Sequence, residues 1–90
     1  MNKERRKALH AIAKRLSIVD HNNADDINSI KSDLESILYD EEYYMDSIPE
    51  SFVYKCEKAE EACDNLQSAI DALCDDDIDD AINYIYNATV

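Results

Sequence analysis

Ninety residues confine the chain to one small domain. The formal net charge is −12, from 21 Asp and Glu against 9 Lys and Arg, yet 46 % of the residues are hydrophobic, so this is not a disordered acidic tail. There is no glycine and one proline, which excludes β-sandwiches, barrels and nucleotide-binding loops, all of which need glycine at tight turns or where backbone meets phosphate.

What remains is an all-α protein. From Leu9 the apolar positions run Leu9, Ile12, Leu16, Val19, then Ile27, Ile30, Leu34, Ile37 and Leu38. Steps of three and four are the helical period. The polar stretch DHNNADD interrupts them, with Asn23 where a seam residue belongs. Two readings stay open. One helix runs through with a local unwinding, or Asn22 or Asn23 caps a new helix and Asp26 supports its first turn. The lack of Gly and Pro favours a continuous or slightly kinked helix over about 2–46, with a break near 20–24 as the alternative.

The segment MDSIPES is the clear turn, because Pro49 is tolerated only in a first helical turn. Ser47 and Glu50 read as a capping box. A second helix is expected over about 49–88, with the turn at 46–49. Its seam is Cys56, Ala59, Cys63, Leu66, Ile70 and Leu73, slipping by one to Cys74, Ile78, Ala81, Ile85 and Ala88. The expected fold is a single domain, 1–90, formed by a long antiparallel, coiled-coil-like helical hairpin. One seam makes a thin core, and Leu38, Ile48, Val53 and Ile82 lie off it. A homodimer closing a four-helix bundle would cover them.

Charge is uneven along the chain. Residues 1–15 hold six basic side chains and one acid, whereas the other 75 hold three Lys and 20 acids. Bases near a helix N-terminus and acids near a C-terminus oppose the macrodipole. In the hairpin the two faults meet, with Lys14 and Arg15 beside Asp79 and Asp80, and the pairing sets the register. The overall field repels phosphate backbones, so no direct nucleic-acid contact is expected. No apolar run spans a membrane, and no signal-type stretch follows MNKERRK, so the expected location is the cytoplasm. Three cysteines, an odd number, read as free thiols buried on the seam.

Signals for chemistry are weak. DDDIDD, residues 75–80, lacks the Gly and the Glu of a calcium loop. His10 and His21 have no partners in a catalytic arrangement, and Glu41 and Glu42 read as exposed helix carboxylates without the burial acid catalysis needs. No enzyme activity, cofactor or metal is expected. Five of seven aromatic residues lie in 39–54, mixed with acids. They read either as rings capping the core or as a recognition tip, in which Tyr supplies rigid contact area and acids steer a basic partner. The candidate protein-binding residues are Asp40, Glu41, Glu42, Tyr43, Tyr44 and Asp46 at this tip, with Asp75, Asp76 and Asp77 as a second acidic group.

The stretches EEYYMDSIPES and EKAEEACDNLQSAIDAL, with MNKERRK at the start, resemble a family of small acidic helical proteins encoded by phages and prophages of Gram-positive bacteria. The resemblance implies an accessory phage gene acting in the host cytoplasm. By analogy with anti-CRISPR and anti-restriction proteins, it suggests an inhibitor of a host nucleic-acid-binding defence protein. Helix carboxylates spaced by one turn would stand in for phosphates. The alternative is a non-enzymatic assembly module that oligomerises through its hairpin.

Overall fold

A computed structural model describes residues 1–89. Its described residues form four helices: α1 (Lys3–Ser17), α2 (Ala24–Ser47), α3 (Val53–Cys74) and α4 (Ile78–Ala88). The all-helical expectation holds, but each long helix is divided in two. The result is an up-down-up-down bundle of 46 × 22 × 18 Å. α2 packs on α3, α3 on α4, α4 on α1 and α1 on α2. The starts of α1 and α3 and the ends of α2 and α4 therefore share one end of the bundle, and the other four termini share the opposite end.

The first division falls at residues 18–23. Asn23 caps α2 by accepting from the backbone N–H of Asp26 at 3.2 Å, and Asp25 and Asp26 occupy the positive end of the helix. The capped alternative is thus the structure, and the continuous helix over 2–46 is corrected. The polar run DHNNADD has nothing apolar to bury, so a helix through it would gain no packing to offset its poor propensity.

The second division falls at 75–77, where the period suggested continuity. Asp76 has φ 59°. The N–H of Asp76 donates to the Leu73 carbonyl at 3.2 Å, and the N–H of Asp77 to the Ala72 carbonyl at 2.8 Å. This is a Schellman closure with aspartate in the left-handed position that glycine ordinarily fills. Asp77 then caps α4, accepting from the Asp80 N–H at 3.2 Å. Asp79 and Asp80 consequently lie in the first turn of a helix, where the macrodipole favours them, and the fault inferred for a C-terminal position disappears.

The α2–α3 turn differs too. Ser47 ends α2, its hydroxyl donating to the Tyr44 carbonyl at 2.7 Å. It does not cap a following helix. α3 begins only at Val53, after Phe52, without a side-chain cap. The centre of the turn moves from between residues 47 and 48 to residue 50, which shifts the α2–α3 register. Arg15 meets Asp33 on α2 at 2.7 Å rather than Asp79 or Asp80. Both partners are exposed, so the pair contributes at most about 1 kcal/mol. One part of the expected pairing survives: α1 lies antiparallel to α4, with the rings of His10 and Tyr86 5.9 Å apart.

The core is continuous through all four helices. Leu9 and Leu16 of α1, Ile30 and Leu34 of α2, Leu66 and Leu73 of α3 and Ile85 of α4 are fully buried. Each such side chain contributes about 1.5–3 kcal/mol of burial. Alanines at 59, 62, 69, 72 and 81 are buried and let the helices approach closely. Leu38 joins this core, and Ile82 packs against it. The apolar residues assigned to a dimer contact are thus largely covered within one chain, with Val53 exposed.

The left-handed Asp76 gives a direct test. Asp76→Gly is expected to stabilise the protein by about 0.5–1 kcal/mol, because relief of the left-handed strain exceeds the added chain entropy. Asp76→Val should destabilise it. Urea midpoints of the three proteins measure the order.

Candidate functional site

The candidate residues fall into three settings. Asp40, Tyr43 and Asp46 are exposed near the end of α2, with Tyr43 80 % accessible. Glu42 is half-buried. Asp75, Asp76 and Asp77 are exposed on the α3–α4 turn, at the opposite end of the bundle. The 22 residues of α3 separate the two groups, about 33 Å at 1.5 Å per residue. A single compact partner patch cannot include both.

Glu41 requires a correction. It is fully buried, not exposed with Glu42. Its Oε2 accepts from Arg5 Nε at 2.7 Å, and its Oε1 lies 3.6 Å from the Met1 ammonium. Oε1 is buried without a hydrogen bond. The Arg5 guanidinium also lies 5.4 Å from the centroid of the Tyr44 ring, a cation–π distance. Glu41 thus fastens α1 to α2 from inside and offers nothing to a partner, whereas Tyr44 is half-buried, with Arg5 over one face of its ring and less of it open than of Tyr43.

A groove opens on the α2–α3 face, with a volume of about 530 Å³. Glu42 and Asp46 of α2 face Glu60 and Asp64 of α3 across it, with Leu38, Met45 and Cys63 among its apolar lining. Among the described residues, no cation lines it. Glu60 and Asp64 were missed as candidates because a turn centred before residue 48 places Glu42 against the wrong part of α3. With α3 beginning only at Val53, α2 lies against a later part of α3, and Glu42 and Asp46 share the groove with Glu60 and Asp64. The groove's charge is felt by the thiol beside it. Burial pushes Cys63 up from 9.0 to about 11, and the neighbouring Glu41, Glu42, Asp64 and Asp46 push in the same direction.

At the other end, carboxylates crowd the α3–α4 turn. Asp80 is raised above the usual carboxylate range, first by its hydrogen bond to Asp77, then by the charges of Asp77 and Asp79. The side chains of Asp75, Asp77 and Asp80 share a shallow depression with Tyr84. Among the described residues no three His, Cys, Asp or Glu side chains converge in a group able to hold a metal ion. No described helix is long and apolar enough to cross a membrane.

The three cysteines are free, but only Cys63 occupies the core. Cys56 is half-buried near the α2–α3 turn, with its Sγ 3.9 Å from the Pro49 carbonyl, and Cys74 is exposed at the end of α3, 3.7 Å from Lys31 Nζ. The common seam expected for all three fails because Cys56 and Cys74 lie close to helix ends. Comparison with family models, with characterised proteins and with solved structures gives no match.

Two measurements follow. Glu41→Ala is expected to cost about 3 kcal/mol or more in a denaturant titration, since it strands Arg5. The double change Glu41→Leu with Arg5→Met should recover most of that loss, and a loss below about 1 kcal/mol for Glu41→Ala would remove the pair from the core. In alkylation followed by mass spectrometry, Cys74 should react first, Cys56 next and Cys63 last. The Cys63 rate should still be rising as pH approaches 11. The unfolded thiol ionises near 9.0 and the folded one about 11, so stability should fall as pH rises through that window.

Proposed function

We propose that the protein is a non-enzymatic, protein-binding inhibitor that engages the basic surface of a nucleic-acid-binding protein. The reading is supported chiefly by the carboxylate-lined groove between α2 and α3. Four acids on two facing helices surround an opening large enough for side chains of a partner. A groove of this sign accepts arginine or lysine, and carboxylates on successive helical turns lie at spacings of about 5.4 Å. Exposed Asp40 and Tyr43 flank the end of α2, where an acid steers and a ring makes contact. Asp75, Asp76 and Asp77 extend the negative field to the far end and act on encounter rather than in the groove. The resemblance to small acidic phage proteins makes a host defence nuclease, of the kind anti-CRISPR proteins block, the proposed class of target, met in the host cytoplasm.

A second reading, an assembly module, draws on the exposed Phe52, Val53 and Tyr54 at the α2–α3 turn. These residues would join copies of the chain tip to tip.

The test is capture of the partner from phage-infected Gram-positive cells, followed by binding kinetics at two salt concentrations and competition with nucleic acid. The expected partner is basic and is displaced by DNA or RNA. Association should slow at least about tenfold between low and physiological salt. Replacing Glu42, Asp46, Glu60 and Asp64 by their amides should slow it similarly, while Tyr43→Ala should speed release. A salt-independent complex that nucleic acid does not displace defeats the phosphate-mimic reading. A stable homo-oligomer with no other ligand favours the assembly module.

A further inference from the structure

A second cleft, of about 500 Å³, lies where the start of α1, the end of α2, the start of α3 and the end of α4 meet. Its chemistry is opposite to that of the acidic groove. Arg6 of α1 and Lys55 and Lys58 of α3 line it, together with the rings of Tyr44 and Tyr54 and one carboxylate, Glu61. Among the described residues, none of these three cations is in an ion pair with a carboxylate. Among the described residues, Arg5 and Arg15 are the basic side chains held in ion pairs, so what sets this cleft apart is the gathering of three cations around a single carboxylate in a chain of net charge −12. Like charges held together repel unless an anion joins them.

The two tyrosines narrow the class of anion. Tyr54 is largely exposed, with Lys58 Nζ 5.8 Å from its ring centroid. Tyr44 is half-buried and is backed by Arg5. Flat rings with ammonium groups beside them suit a ligand that carries both a planar ring and phosphates. The volume lies within the range of small-molecule sites, about 300–1,000 Å³. A nucleic-acid strand extending beyond the cleft would meet the negative field of the rest of the molecule, whereas a small ligand would not.

We propose that this cleft is a nucleotide site, with phosphates held by Arg6, Lys55 and Lys58 and the base stacked on Tyr54 and Tyr44. It is built from side chains on helix ends, so it needs no glycine-rich loop. It is separate from the acidic groove and does not depend on the inhibitor reading.

The test is an amide chemical-shift titration of the full chain with four probes: ATP, tripolyphosphate, adenosine and a 5′-phosphorylated oligonucleotide. ATP is expected to give saturable shifts confined to the cleft. Tripolyphosphate should bind at least about tenfold more weakly, and adenosine more weakly than ATP. Arg6→Gln and Lys58→Gln should each weaken ATP about tenfold, the loss of one charge-assisted contact. Tyr54→Ala should bring ATP to the level of tripolyphosphate. All three side chains reach solvent, and an unchanged spectrum away from the cleft verifies the fold of each variant. Absence of saturable shifts at millimolar ATP overturns the site. Shifts that ignore Arg6→Gln and Lys58→Gln overturn its location. Equal affinity for tripolyphosphate overturns the stacked base, and tighter binding of the oligonucleotide overturns the small-ligand assignment.

Discussion

The Glu41 carboxylate is wholly buried, and a carboxylate taken out of water needs a cation against it. Arg5 meets that need at 2.7 Å from 36 positions away in the chain. In a continuous helix over 2–46 the two residues would be about 54 Å apart, at 1.5 Å per residue. The pair therefore demands that the chain reverse between them, and the capped break at residues 18–23 is where it does so. Once α1 lies back along α2, its apolar stripe of Leu9, Ile12 and Leu16 meets α4 as well, and the core closes around four helices in one chain. Such a pair adds little net stability compared with an apolar substitute. Its stronger effect is to penalise arrangements that leave either partner alone.

Much of this architecture was legible in the sequence, and the illegible parts share a cause. The helical class and the buried positions follow from apolar spacing: Leu9 through Leu38 and Cys63 through Ala88 are buried largely as that spacing requires. Spacing registers each break only as a small disturbance, the polar interruption at Asn23 and the slip by one at Cys74, and a long helix absorbs such a disturbance as readily as a turn does. At residues 75–77 no glycine marks the reversal, because Asp76 adopts the left-handed conformation itself. At residues 18–23 the cap is an asparagine that also fits a polar insertion in a long helix. Glu41 was only partly readable, for another reason. It continues the stripe of Ile30, Leu34 and Ile37 by a step of four, which points it inward, but a carboxylate between Asp40 and Glu42 reads as solvated until Arg5 is found against it.

The candidate surfaces divide along the same line. Acids near the end of α2 were visible as a cluster, but the facing wall of the groove, Glu60 and Asp64, depended on a turn centre that moved when α3 began at Val53. The basic arm was visible as a run, yet its side chains have different fates. Arg5 is consumed by Glu41, Arg15 pairs with Asp33, and Arg6 lines a cleft with lysines of α3. Local composition identified which charges were present; the bundle topology decides which of them face solvent, which face each other and which are neutralised.

The two ends of the bundle differ in charge as well as in shape. Both ends are negative, but six of the nine cations, Lys3, Arg5, Arg6, Lys7, Lys55 and Lys58, lie at the end where α1 and α3 begin and offset much of the acid there, whereas at the other end Asp20, Asp25, Asp26, Asp75, Asp76, Asp77, Asp79 and Asp80 outnumber Lys14, Arg15 and Lys31. Over a long axis of 46 Å, this asymmetry means that an external field exerts a torque on the molecule in addition to attracting or repelling its net charge. Near a positively charged surface the rod rotates until the α1–α2 and α3–α4 turns lead. Its orientation is therefore biased before any contact forms, and the bias fades once the separation exceeds the screening length of the solution, about 8 Å at physiological ionic strength.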